Sequence, residues 1–162
     1  MNLPVGSVQA QGLKLEGTDF LQQALELSKQ NFIGYLVLTI DGFDGFEEGL
    51  LFLKSGECIG AVYDYLKYGK TLYGEEALPA VLNASSAEKG VLDVCSLTAQ
   101  QLDLVMAFND RILLPQNKAV KDLSSLKTRS FESSFAKKHL AGLLEAEESK
   151  FEILKKFGLG RI

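Results

Sequence analysis

The sequence predicts an α+β fold: a mainly antiparallel sheet of about four strands, a three-stranded meander plus one, flanked by helices and followed by a C-terminal helical arm. Three observations lead there. Between Phe32 and Leu66 lie three apolar runs rich in β-branched and aromatic residues, separated only by short turns. Strands joined so tightly must run antiparallel, because parallel neighbours need a long crossover. Segments with apolar residues at three- and four-residue steps precede and follow these runs. From Gln116 to Ser130 the composition turns polar and basic (QNKAVKDLSSLKTRS), as a linker does. The expected organisation is an interaction domain over 1–115, a linker over 116–130 and an amphipathic helical arm over 131–162.

Taken in order, Asp19 is placed to cap a helix carrying Phe20, Leu21, Ala24, Leu25 and Leu27 and ending near Asn31. FIGYLVLTID then reads as a strand with Leu36, Leu38 and Ile40 on one face and Tyr35, Val37 and Thr39 on the other. EEGLLFLK and CIGAVYDYL supply two more strands, with Ser55-Gly56 turning between them. EEALPAVLNAS is helical if it begins close to Glu75, so that Pro79 falls in the first turn. GVLDVCSL is the fourth strand, and Thr98-Ala-Gln-Gln101 is a capping box opening a helix through about Asn109. RILLP is either a short edge strand or the end of that helix. In the arm, Phe131, Phe135, Leu140, Leu143, Leu144, Phe151, Leu154 and Phe157 recur at helical spacing, and Gly158 is a natural C′ residue.

With 162 residues, 46% hydrophobic and 23% charged, the chain can bury one sizeable core. No apolar run approaches the roughly 18 residues that span a bilayer. The start, MNLPVGSVQAQG, lacks the charged and apolar regions of a secretory leader. Cys58 and Cys95 sit far apart in apolar runs, as buried free thiols of a reducing cytoplasm do. The net charge of −4 conceals an asymmetry. Residues 1–116 hold 7 Lys+Arg against 15 Asp+Glu, or −8, whereas 117–162 hold 10 against 6, or +4. An acidic body argues against nucleic acid as a partner, and the basic residues of the tail read as a solvated helix face.

The densest group of possible ligands is DGFDGFEEG at 41–49. A helix–loop–helix calcium site needs oxygen ligands at positions 1, 3, 5 and 12. Counted from Asp41, those positions bring Phe43, Gly45 and Phe52, and the segment joins strands, so it reads as a hairpin turn whose acids stay wet. Gly69-Lys70-Thr71 lacks the glycine a P-loop requires five residues earlier, where Asp64 stands instead. The single histidine, His139, cannot build a metal cluster and lies in the arm, away from both thiols in sequence. Glu47 and Glu48 are strand neighbours and so point to opposite faces. No catalytic, cofactor or metal site emerges.

Four of the five tyrosines, Tyr63, Tyr65, Tyr68 and Tyr73, fall within eleven residues. They serve either as a rim closing the core or as a partner-binding patch. Leu143, Leu144, Phe151, Leu154 and Phe157 are the corresponding candidates on the arm.

The order of a helix, GYLVLTIDG, GLLFLKSGECIGAVY, Gly74 leading into EEALPAVL, and then KGVLDV resembles the PATAN domain at the N-terminus of PatA-type response regulators and a related group of uncharacterised archaeal proteins. The matching positions are Leu36, Leu51, Leu53, Gly56, Ile59, Ala61, Gly74, Ala77, Leu78 and Val91, and the resemblance covers residues 18 to about 110. It implies a non-catalytic interaction module of roadblock- or longin-like build, from which the long C-terminal helix departs.

Together these readings lead to a non-catalytic cytoplasmic adaptor that binds a protein partner and also itself as a homodimer. The arm would fold back, exchange with a second chain or dock in a groove. A second reading is reversible binding to a membrane surface by the basic arm, opposed by Glu145, Glu147, Glu148 and Glu152. A third is small-ligand or metal sensing through the acidic hairpin or the tyrosine loop.

Overall fold

The computed structural model describes residues 3, 4 and 6–157, with Leu154 described by its backbone alone. It divides into two compact units, Met1–Glu132 and Ser133–Ile162.

The α+β class holds, but the sheet has seven strands rather than about four. In chain order they are β1 (Ser7–Lys14), β2 (Ile33–Asp41), β3 (Phe46–Lys54), β4 (Glu57–Tyr65), β5 (Lys70–Tyr73), β6 (Gly90–Ser96) and β7 (Leu113–Ala119). Their spatial order is β1-β6-β2-β3-β4-β5, with β7 pairing another stretch of β4, and every pairing is antiparallel. The expected meander is β2-β3-β4, and the expected fourth strand is β6 on its other side. The three additional strands form the margins. β1 is polar and mostly exposed, β5 has four residues, and β7 carries Pro115 and follows a one-turn 3-10 helix at Asp110–Ile112. None has the apolar alternation of a half-buried strand; each is held by its ladder to a strand already in place. Part of the segment read as a linker, 116–119, belongs to β7, and Val120–Leu126 is 3-10 helix.

The helices of the first unit are α1 (Phe20–Lys29), α2 (Gly74–Ala84) and α3 (Ala99–Phe108). Asp19 caps α1, accepting from the N–H groups of Leu21 at 3.0 Å and Gln22 at 3.4 Å. Burial depresses ionisation of this carboxyl, but the Gln22 hydrogen bond and Lys127, at 3.3 Å, outweigh it and hold the pKa below the ordinary value. At α3 the capping box is complete: Thr98 Oγ1 accepts from the Gln101 N–H at 3.1 Å, and Gln101 Oε1 from the Thr98 N–H at 2.9 Å. Pro79 lies beyond the first turn of α2 instead of within it. Its ring faces solvent at an exposed position, so the helix gives up one backbone bond without a buried clash.

Alternation along the strands divides the core in two. One sheet face presents Leu36, Leu38, Leu51, Leu53 and Ala61, all essentially fully buried. α2 packs on this face, and a Cβ added to Gly49 of β3 would meet the ring of Tyr63 and the side chain of Val81 at 3.2 Å. The opposite face gathers Tyr35, Leu50, Phe52, Ile59 and Val62 against Leu102, Val105 and Met106 of α3. Gly74 opens α2 with a left-handed φ of 56°, and a Cβ there would come within 2.8 Å of the Leu113 carbonyl and 2.9 Å of the Arg111 carbonyl. That close approach lets β7 lie beside the start of α2.

Among the described residues, the second unit consists of one helix, α4 (Ser134–Lys156). The Phe157 N–H closes it on the Ile153 carbonyl at 3.2 Å. Gly158, expected as its C′ residue, lies outside the described residues. No described helix is long and apolar enough to cross a membrane.

Candidate functional site

The 41–49 stretch is a hairpin tip. The Gly42 N–H donates to the Gly45 carbonyl at 2.9 Å, and register pairs Asp41 with Phe46. Its four acids behave differently from the uniformly wet turn that the sequence suggested. Glu47 is 4% exposed. Its carboxylate accepts from the Phe43 N–H at 2.8 Å and from the Tyr63 hydroxyl at 2.5 Å. Glu48 points to the other face, opposite Asp64 across the ladder. Burial, and then the Asp64 charge, push its pKa upward. Asp44 reaches the following loop, accepting from Lys67 Nζ and the Tyr68 hydroxyl, both at 2.5 Å. Those hydrogen bonds hold the Asp44 carboxyl below its ordinary pKa. Among the described residues, no three His, Cys, Asp or Glu side chains are grouped to hold a metal ion.

The tyrosines separate along the same lines. Tyr63 and Tyr65 are 1% and 2% exposed and stack edge to face, with centroids 5.1 Å apart. They lie in the core rather than on a surface patch, and burial followed by the nearby Glu47 raises both phenol pKa values. Tyr68 is half-buried in the hairpin–loop cluster, and Tyr73 is exposed at the end of β5. The four do not form one surface. Gly69 ends a 3-10 turn with a left-handed φ of 57°. Lys70 and Thr71 then enter β5, and the Thr71 hydroxyl donates to Asp64. A hydroxyl engaged by a carboxylate is not presented to phosphate.

Both cysteines are free. Burial pushes the Cys58 thiol up to about 12, so it is protonated and inert at neutral pH.

Sequence reasoning missed two adjoining concavities at the end of β2 and the turn before β6. One, of about 510 Å³, is lined by Asp41, Ser86, Glu88, Lys89, Arg129 and Phe131 among others. The second, of about 420 Å³, shares Asp41, Glu88 and Lys89. Two acids and two bases balance in the first, so its field favours neither anion nor cation. No sequence motif marks either concavity, because the lining comes from segments distant in the chain.

The arm candidates are placed on α4. Leu143, Phe151 and Phe157 are exposed, at 40%, 55% and 76%, and Leu144 is half-buried. The Leu154 side chain lies outside the described residues. Ile153, 53% exposed, was not singled out in the sequence, since it stands off the main stripe. From Glu145 to Phe157, every residue whose side chain is described is exposed. On α3, Leu104 and Phe108 are likewise exposed, at 58% and 80%.

A family model described as an uncharacterized protein conserved in archaea (DUF2226) matches residues 1–109. The chain belongs to this archaeal family. The match takes in β1–β6 and α1–α3 and stops short of β7 and α4. No curated protein and no solved structure matches the chain. Family membership takes the place of the broader resemblance as the assigned relationship.

Proposed function

We propose that this member of the archaeal family is a non-catalytic protein–protein interaction module, an adaptor in prokaryotic signalling or scaffolding, whose docking element is the distal part of α4. One observation carries the reading: that stretch is helical and exposed throughout its described side chains, yet it bears Phe151, Ile153 and Phe157. Large apolar side chains left exposed along a helix mark a surface awaiting a partner. The PATAN-like, roadblock- or longin-like build and the cytoplasmic setting belong to the same proposal. Supporting it from the body, the reactive residue types are engaged structurally: Glu47 with Tyr63, Asp64 with Thr71, and Cys58 protonated.

The test is affinity capture from the native organism with the wild-type chain and with a Phe151→Ala, Leu154→Ala, Phe157→Ala variant. The wild type should retain a defined partner that the variant loses, since a few buried aromatic anchors dominate most interfaces. Equal recovery by both chains would overturn the assignment to the arm.

Membrane-surface binding ranks below this. The segment Leu143–Ser149 carries three acids and no base, which anionic lipid repels. Flotation with anionic liposomes at low and high salt separates the readings. Small-ligand sensing finds its best support in the concavity beside Arg129, and a thermal-shift screen addresses it.

A further inference from the structure

We infer that the partner of the exposed arm is the arm of a second copy of this chain, laid antiparallel across a twofold axis that passes between Glu148 and Ser149. The inference rests on the adaptor reading above and deepens it by naming the occupant. Charge supplies the argument. Along the distal arm, Leu143–Ser149 holds Glu145, Glu147 and Glu148 without a base, whereas Lys150–Phe157 holds Lys150, Lys155 and Lys156 against Glu152 alone. A parallel pair would set acidic half on acidic half. An antiparallel pair sets each acidic half on a basic one and also opposes the two helix dipoles.

Register agrees with charge. About the proposed axis, Glu147 faces Lys150 of the second copy, and by symmetry Lys150 faces its Glu147, giving two ion pairs at the centre. Glu145 and Glu152, also opposite one another, lie about half a turn round the helix from Leu143 and so outside the contact. Leu143 falls opposite the turn that holds Ile153 and Leu154. Phe157 falls opposite the turn that holds the exposed Ala141; Leu140 of that turn is 1% exposed and takes no part. The apolar side chains thus flank a central charged pair, as in antiparallel helix pairs where a polar contact sets register. Neither Glu147 nor Lys150 forms an ion pair among the described residues, so both are available. A twofold contact of this kind closes on itself and yields a dimer rather than a fibre. Two helices of four turns bury less than a standard interface, so the association should be weak.

The experiment uses the full chain in sedimentation equilibrium at on the order of 100 µM, a concentration chosen for a small interface. Wild type should be a reversible dimer. Glu147→Lys should weaken it by about tenfold or more through like-charge contact, and Glu147→Lys combined with Lys150→Glu should restore it. Circular dichroism confirms that each variant keeps its helix. Orientation is read by oxidative cross-linking. In the antiparallel register two copies of Glu147→Cys lie only ~4.5 Å apart along the axis, and two copies of Leu143→Cys ~16 Å apart. Efficient linking of the first and not the second supports the proposal. A monomeric wild type, a swap that fails to restore association, or linking through position 143 at least as efficient as through 147 overturns it. A monomer that still captures a partner through the arm would leave the adaptor reading standing and remove only the second copy as its occupant.

Discussion

The Tyr63 hydroxyl donates to the Glu47 carboxylate at 2.5 Å, diagonally between β4 and β3, with both side chains inside the α2 face of the sheet. The same carboxylate receives the Phe43 N–H and so locks the hairpin tip to the core. Tyr63→Phe keeps the ring but strips a buried acceptor of its donor, which costs about 1–3 kcal/mol. Glu47→Gln retains a weaker bond and should cost less. The two changes together should be less damaging than their sum, since both delete one contact. Urea unfolding of the three variants checks this; additive losses would show that the pair is not coupled.

Glu48 and Asp64 face each other across β3 and β4 as like charges, and the Glu48 pKa is raised first by burial and then by Asp64. The sign follows from linkage. The folded state holds this proton more tightly than the unfolded chain, so ionised Glu48 destabilises the fold at neutral pH. That penalty is relieved as pH falls through the folded pKa towards the ordinary carboxyl value. Glu48→Gln should therefore add about 0.5 kcal/mol at pH 7, after allowance for solvent screening. It should also flatten the mildly acidic part of the stability–pH curve. A variant less stable than wild type at pH 7 would contradict the repulsion.

Gly74 and Gly69 both adopt left-handed φ, but only Gly74 is crowded. A Cβ at 74 meets two carbonyls under 3 Å, while at 69 nothing lies within 4 Å. Gly69→Ala should cost about 1 kcal/mol for conformation alone. Gly74→Ala should cost clearly more, because β7 must shift from the start of α2. Thermal unfolding ranks the pair, and equal losses would place the strain in φ and not in the packing.

Asp19→Ala removes the α1 cap and should cost about 1 kcal/mol. Its carboxyl is held below the ordinary pKa, against the effect of burial, by the Gln22 N–H and Lys127. Its contribution is thus complete above the unfolded carboxyl pKa and is lost as pH falls through the folded one. The difference between wild type and variant should shrink on acidification below pH about 4, as urea titrations at several pH values would show.

Much of the centre of this fold is legible in the residues. FIGYLVLTID, EEGLLFLK, CIGAVYDYL and GVLDVCSL advertise β2, β3, β4 and β6 because buried strands must carry apolar side chains. Asp19 and the Thr98–Gln101 box mark helix starts because capping is local chemistry. β1, β5 and β7 are silent by comparison. SVQAQGLK and LLPQNKA draw their order from backbone bonds to a neighbour, and a backbone donor looks the same in every residue.

The sites follow the same division. The exposed phenylalanines of α4 are readable as a periodic stripe. The burial of Glu47 is not, since nothing in DGFDGFEEG distinguishes the acid that turns inward from the three that do not. Composition and periodicity by themselves determined an α+β body with a helical arm and an uneven spread of charge. Tertiary structure alone decided how many strands the sheet recruits, which acid and which tyrosines enter the core, and where the charge-balanced concavity opens. The reason is physical: local propensity acts between residues a few positions apart, whereas burial and strand pairing are set by whichever distant segment arrives beside them.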